Sequence, residues 1–248
     1  MPGRGLIGFF LLLMLVASSL LWAEETKIFR IYTEEFPPYN YQENGRITGI
    51  ATEVVREIMR RVGHPDTIKL IPWKRAYREL LTDDNVALYS MTRLPARESL
   101  FRWVGPLVEY RLDLLERADA QNMSKTLDGA RQVEHVGVLD GGAAEVILTE
   151  AHFTNLVPLI SAGLSAYRLL LRKHIDLLAG DVREWKYFAR RTGLSPDLLR
   201  PVYTLRKNQM YLAFSRATPA AIIAQWQAAL DAMHADGSYA AIVANNRW

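Results

Sequence analysis

An α/β architecture in two lobes, each a mainly parallel sheet flanked by helices, is what this 248-residue sequence predicts. Three observations carry the prediction. Over residues 28–89, apolar runs of strand length alternate with segments of helical period, in the order strand, helix, strand, helix, strand. Such an order favours parallel pairing through helical crossovers. A second series of the same order runs over 136–179. Between and after the two series the chain crosses from one half to the other near 107–111 and 202–207, which is where a hinge is expected.

Each element has its own signal. Ile28-Phe29-Arg30-Ile31-Tyr32 alternates as a strand does and ends in the rigid aromatic loop Phe36-Pro37-Pro38-Tyr39. Asn44-Gly45 marks a hairpin turn. From Gly49, Ile50, Val54, Ile58 and Val62 recur at four with Val55 and Met59 beside them, which is an amphipathic helix stopped by Gly63 and Pro65. Residues 68–71 read as a strand, 73–81 as a helix and 86–89 as a buried strand. Ser90-Met91-Thr92 reads as a tight connection, and Pro95 starts a helix because its missing N–H costs nothing in the first turn.

The second half repeats the plan. Residues 110–115 are extended and 118–132 polar. A strand at 136–139 turns through Asp140-Gly141-Gly142 into a helix at 143–150. A strand at 156–160, a helix at 165–172, a strand at 175–179 and a helix at 182–191 follow. A late strand spans 211–214. Thr218-Pro219 caps a long helix to Ala235, Gly237 ends it, and a short helix closes the chain. The lobes are therefore expected as 24–109 with 206–248, and 110–205.

The first 23 residues carry one charge, Arg4, an apolar block from Leu6 to Val16, and small residues before Ala23. That is the layout of a cleaved signal peptide; the uncharged 19 residues 5–23 are also long enough for an anchor. There is no cysteine, which excludes disulfides and thiolate chemistry. Beyond residue 23 the basic and acidic residues nearly balance, against the concentrated basic patch a nucleic-acid binder needs. The five histidines are scattered without an i,i+4 pair, so no metal and no cofactor is expected.

Ligands of open α/β sheets sit beyond the carboxyl ends of strands. Thr92, the segment from Gly141 to Ala144, and Asp181 all fall there. Arg97, five residues after Thr92, brings a planar fork of donors suited to a carboxylate. Gly141-Gly142 can expose backbone N–H groups to an anion. Glu34, Glu35 and Asp181 are candidates for acid/base work or for helix caps, and Trp73 and Phe36 suit either a core or a ligand wall.

In their joint order these motifs resemble the family 3 periplasmic solute-binding proteins, the polar amino acid-binding group with the type II periplasmic binding fold. The resemblance spans nearly all of 27–248. It rests on the Phe-Pro-Pro-Tyr loop, Gly49, Ser90-Met91-Thr92 with Arg97, and Phe101-Arg102-Trp103-Val104-Gly105-Pro106. Val136-Gly137-Val138 with Gly141, Ile175-Asp176 with Asp181, and Ala235-Asp236-Gly237-Ser238-Tyr239 complete it. It implies a non-catalytic monomer that captures an amino acid or similar small polar solute in the periplasm, for a membrane permease or a receptor. By position, Arg97 pairs with the α-carboxylate and Thr92 touches the ligand. The Ser90 carbonyl and Asp181 take the ammonium group, Trp73 and Phe36 form aromatic walls, and the amides of Ala143 and Ala144 approach the carboxylate. Gly142-Ala143-Ala144 lacks the Ser or Thr frequent in that family, and Arg93, Lys74, Arg75 and Leu139 also depart from its pattern, which leaves the side-chain pocket open. A dehydratase on the same fold and a membrane-anchored sensor domain are the alternatives.

Overall fold

The computed structural model describes residues 28–120, 125–161 and 163–246. The expected signal segment lies outside the described residues. The first half runs β1 (Arg30–Thr33), β2 (Tyr41–Glu43), β3 (Arg46–Thr48), α1 (Ile50–Arg61), β4 (Ile68–Leu70), α2 (Trp73–Thr82), β5 (Val86–Thr92) and α3 (Pro95–Glu98). A 17-residue strand, β6 (Phe101–Arg117), leads out of it. The second half holds α4 (Leu127–Gln132), β7 (Val136–Leu139), α5 (Ala143–Glu150), β8 (Leu156–Leu159), α6 (Leu164–Leu171), β9 (Leu177–Gly180) and α7 (Val182–Thr192). A single 3₁₀ turn, Pro196–Leu198, precedes the 17-residue return strand β10 (Leu199–Ser215), then α8 (Ala220–Ala235) and α9 (Ser238–Asn245).

The expectation of one sheet per half is corrected. All the larger strands join one eight-stranded sheet in the order β4-β1-β5-β10-β6-β9-β7-β8. β4, β1 and β5 are parallel to one another, as are β9, β7 and β8. The central pair β6 and β10 is antiparallel and serves both ends. Each spans about 55 Å at the usual rise of ~3.3 Å per residue, enough to belong to both halves at once. The local signals at 110–115 and 211–214 marked only parts of these strands.

Register shifts between Pro201 and Tyr203 and between Thr204 and Arg206 interrupt the central ladder, where β10 carries extra residues opposite 112–115. Bulges locally bend and twist a strand pair. Both lie in the stretch expected as the second crossing.

Apolar periodicity explains the packing. α1 buries Ala51, Val54, Val55, Ile58 and Met59, the face its spacing predicted, against Phe29, Ile31, Phe214 and Trp226. The opposite face of the same strands is covered by Trp73, Ala76 and Leu80 of α2. In the second half Tyr167 and Leu170 of α6 and Trp185 and Ala189 of α7 pack on Leu115 and Leu178. Asn44 and Gly45 take positive φ of 50° and 79° in the β2–β3 turn, the requirement of a two-residue hairpin of right twist.

Three local expectations change. β5 continues to Thr92, because pairing with β10 persists to the Thr92–Met210 partners. The polar stretch after 118 contains α4, capped by the Thr126 side chain accepting from the Gly129 N–H. Thr218 does not cap α8: Pro219 occupies the cap position, and the Thr218 hydroxyl lies one residue too early and has no partner.

Candidate functional site

A cleft of about 650 Å³, its opening to solvent included, lies where the ends of β1, β5, β7 and β9 meet. All eight residues singled out from sequence line it: Phe36, Trp73, Ser90, Thr92, Arg97, Ala143, Ala144 and Asp181. Sequence reasoning did not place Tyr110, Leu112, Ala179, Gly180 or Glu184 in the wall; it raised Glu34 only as a candidate acid and Gly142 only as part of the turn that could offer amides to an anion.

Local structure aims these groups. Two residues of β5, Tyr89 and Ser90, face the single residue Leu212 of β10, and Ser90 adopts φ 63°. The extra residue of such a bulge leaves the ladder, which frees backbone groups at the cleft. The Ser90 hydroxyl donates to Asn40 Oδ1 at 2.5 Å, tying β5 to the aromatic loop. That loop is held over α1 by Gly49, whose φ is 107° and where a Cβ would stand 2.4 Å from the Tyr39 carbonyl oxygen. Thr92 shares a 2.6 Å hydroxyl hydrogen bond with Tyr110, whose oxygen also accepts from Asn208 Nδ2.

Arg97 is only 3% exposed, an unusual state for a guanidinium. Its NH2 donates to the Gly141 carbonyl at 2.9 Å and its NH1 to the Thr92 carbonyl at 3.3 Å. The cation lies 5.3 Å from the ring centres of both Trp73 and Tyr77. Burial lowers its affinity for the proton from the ordinary arginine value, a loss that Tyr77 and Tyr110 partly offset. Beside it begins α5, where Glu145 reaches back to the Gly141 N–H. The first-turn amides of Ala143 and Ala144 cannot pair within the helix and face the same cleft. Trp73 Nε1 is buried without a partner.

Acceptors gather at the start of α7. Asp181, 1% exposed, caps that helix through Oδ1, which accepts from the Arg183 N–H at 2.8 Å. Its Oδ2 accepts from the Tyr39 hydroxyl at 2.6 Å, a contact between residues 142 positions apart. Burial raises the Tyr39 phenol far above its ordinary pKa, and the neighbouring Asp181 adds to the rise. Glu184, three residues on, accepts from the Tyr167 hydroxyl at 2.7 Å. Burial pushes its carboxyl well above the usual range, and Glu34 and Asp181 add repulsion. Burial also lifts the Glu34 carboxyl to about 8, against the attraction of Arg97. Donors thus concentrate around Arg97, Trp73 and the α5 terminus, and acceptors around Asp181 and Glu184. No group of three His, Cys, Asp or Glu able to hold a metal ion occurs among the described residues.

Glu184 had a sequence signal: it follows Asp181 by one helical turn and so shares its side of α7. Tyr39 and Tyr110 had none, because their approach to Asp181 and Thr92 depends on how the two halves pack.

The profile of the bacterial extracellular solute-binding proteins, family 3, matches residues 29–248. No curated protein gives a match. Among solved structures, an ancestral arginine-binding protein bound to arginine superposes with a TM-score of 0.77 at 17% identity, over 90% of this chain and 99% of that one. A histidine kinase sensor domain with similarity to periplasmic binding proteins gives 0.77 at 21% identity, over 88% and 95%. The arginine-, lysine-, histidine-binding protein ArtJ of Geobacillus stearothermophilus gives 0.73 at 16% identity, over 88% and 94%. These likenesses establish a shared two-lobed fold.

Proposed function

From the premise that the chain belongs to the bacterial extracellular solute-binding proteins of family 3, we propose that it captures an amino acid or a similar small polar solute in the periplasm between two closing lobes. The observation that carries this reading is the polarised cleft. A buried Arg97 beside the free amides of α5 suits a carboxylate, and Asp181 with Glu184 suits an ammonium group. The first lobe comprises residues 24–109 and 206–248 and the second 110–205, so Arg97 and Asp181 come from different lobes. One ligand touching both holds the cleft shut. Charge-assisted hydrogen bonds contribute about 1.5–3 kcal/mol each, and three or four of them reach micromolar affinity, about −8 kcal/mol, after ordering costs.

Two structural neighbours are an arginine-binding protein bound to arginine and an arginine-, lysine-, histidine-binding protein, which agrees with this reading. The sensor-domain neighbour favours signalling to a receptor as the second reading of the same capture, beside delivery to a permease. The protein acts as a monomer and without catalysis. A dehydratase would also use a carboxyl with a raised pKa, and burial lifts that of Glu34 to about 8. A thermal-shift screen against amino acids, amines and dicarboxylates tests the proposal. A true ligand at 100 times its Kd adds about 2.7 kcal/mol of stability. Chromatography of the hit after long incubation then separates capture, which returns it unchanged, from turnover. A screen with no amino acid hit overturns the proposal.

A further inference from the structure

A row of contacts between the halves continues beyond the cleft. Tyr39, Tyr41 and Glu43 alternate along the chain as it enters and follows β2. They meet three positions down α7: the capping Asp181, then Tyr187 and Arg191, which are one turn apart and share a face. From 39 to 43 a strand advances about 13 Å, and from 181 to 191 a helix advances about 15 Å, so the two elements match in length. The β2–β3 hairpin stands apart from the eight-stranded sheet, so no shared ladder ties it to α7. Only the first rung of the row belongs to the cleft: Tyr41, Glu43, Tyr187 and Arg191 do not line it.

Tyr41 is 5% exposed and Tyr187 7%, and their ring centres lie 4.9 Å apart at an angle of 58°. The Arg191 guanidinium lies 5.5 Å from the centre of the Tyr187 ring and pairs with Glu43. Parting the lobes returns both rings to water and breaks their contact, so the ring pair favours the closed form by more than its buried area. The outer ion pair is half-exposed and adds little. We infer that Tyr41 of the first lobe and Tyr187 of the second form a clasp that sets how far the empty protein closes, and through closure sets the affinity and release rate of whatever the cleft holds. They are positioning residues, since neither reaches the cleft. A ligand of the closed form gains apparent affinity in proportion to the fraction of protein already closed, and it leaves only after the clasp parts. The inference rests on the two closing lobes of the reading above and not on the identity of the ligand.

The test reads closure without a ligand. The chain has no cysteine, so cysteines introduced at the exposed Arg60 of α1 and Glu150 of α5 each take one spin label. Double electron–electron resonance then measures the distance between the lobes in the full protein, freed of bound solutes by unfolding and refolding. The empty protein shows a closed population, and Tyr187→Leu lowers its ratio to the open one about two- to tenfold. Tyr41→Leu does the same, and the double variant goes little further, because the pair is already broken. An empty protein with no closed population, or a ratio unmoved in the folded variants, overturns the inference. If neither tyrosine variant folds, Glu43→Lys sets two cations against each other at the rim of the clasp and lowers the closed fraction; no change there overturns it too. Calorimetry and stopped-flow mixing with arginine and glutamine as probes complete the test. Tyr187→Leu weakens both by the same factor and speeds their release, whereas a changed ratio between them places Tyr187 on the ligand and overturns the clasp. If neither probe binds, that counts against the amino acid reading, while the clasp stands or falls on the empty protein.

Discussion

Arg97 shows how much a single buried cation is asked to do. Its guanidinium bonds two carbonyls, Thr92 and Gly141, and lies against two aromatic rings, so its geometry is set before any ligand arrives. A lysine has neither the fork nor the planar face. Arg97→Lys is therefore expected to lower ligand affinity at least tenfold, about 1.4 kcal/mol, with the fold intact by circular dichroism. Unchanged affinity in calorimetry would remove Arg97 from the site. At the same scale, His64 links stability to pH. Its Nε2 accepts the Phe29 N–H at 2.8 Å, and its Nδ1 lies 2.7 Å from the Pro65 carbonyl, so the ring serves best when neutral. Burial lowers its pKa from the ordinary histidine value. The unfolded chain then binds the proton more readily, so this contribution is complete above about 6.5 and is lost as pH falls through the folded value. Urea unfolding between pH 7.5 and 5 should show a decline that His64→Gln reduces. A parallel decline in both proteins counts against it. Glu34 has the opposite sign: its raised pKa contributes stability that is present below the usual carboxyl range and lost as pH rises through about 8.

At the scale of elements, the site depends on backbone irregularities placed at the ends of regular pieces. The β5 bulge turns Ser90 out of the ladder, and the glycine before α1 lets the aromatic loop lie directly on the helix start. Only glycine combines a φ of 107° with that close approach. Gly49→Ala is expected to cost about 1–3 kcal/mol of stability. For a protein of this size that corresponds to a fall of roughly 2–10 °C in Tm. Ligand affinity should weaken with it, since Phe36 and Tyr39 move with the loop. A variant that melts with the wild type would show that the loop relaxes freely. The N-terminal ends of α5 and α7 divide the electrostatic task. α5 leaves its first amides open, whereas α7 is closed by Asp181, the acid that also takes the Tyr39 hydroxyl.

For the whole molecule, the question is what holds the halves together. Contacts that join them include Tyr39 to Asp181, Arg97 to Gly141, Lys74 to Asp140 and Arg191 to Glu43. The last two are exposed ion pairs, worth about 0–1 kcal/mol each and screened by salt. The first is buried and the second part-buried, and each involves a side chain that lines the cleft, Asp181 and Arg97, so on the proposed reading ligand binding and closure draw on the same two groups. Only differential affinity for the closed form can shift such an equilibrium. On the proposed reading, with the hinge near Leu107–Arg111 and Val202–Lys207, Asp181→Asn is expected to weaken an amino acid ligand more than tenfold. It should also reduce the ligand-induced compaction measured by small-angle scattering. Unchanged affinity together with unchanged compaction would mean that no ammonium group sits at Asp181.

Much of this was legible in the chain itself, because it depends on neighbours in sequence. The four-spaced apolar face of α1, the Asn44-Gly45 turn and the two βαβαβ series follow from local periodicity and turn chemistry. Strand ends also tell where the cleft of an open α/β sheet lies, which is why Thr92, Ala143, Ala144 and Asp181 could be placed at it without coordinates, with Arg97 following from its spacing of five after Thr92. The single shared sheet could not be read this way. β6 and β10 are long only because each pairs with the other over nearly its whole length, and a strand's pairing partner leaves little mark on its own composition. The same holds for Tyr39 against Asp181, Thr92 against Tyr110, and the empty valence of Glu184. Which polar atoms find partners in a buried space depends on the distances that packing sets between residues far apart in the chain, and those distances are a property of the folded molecule alone.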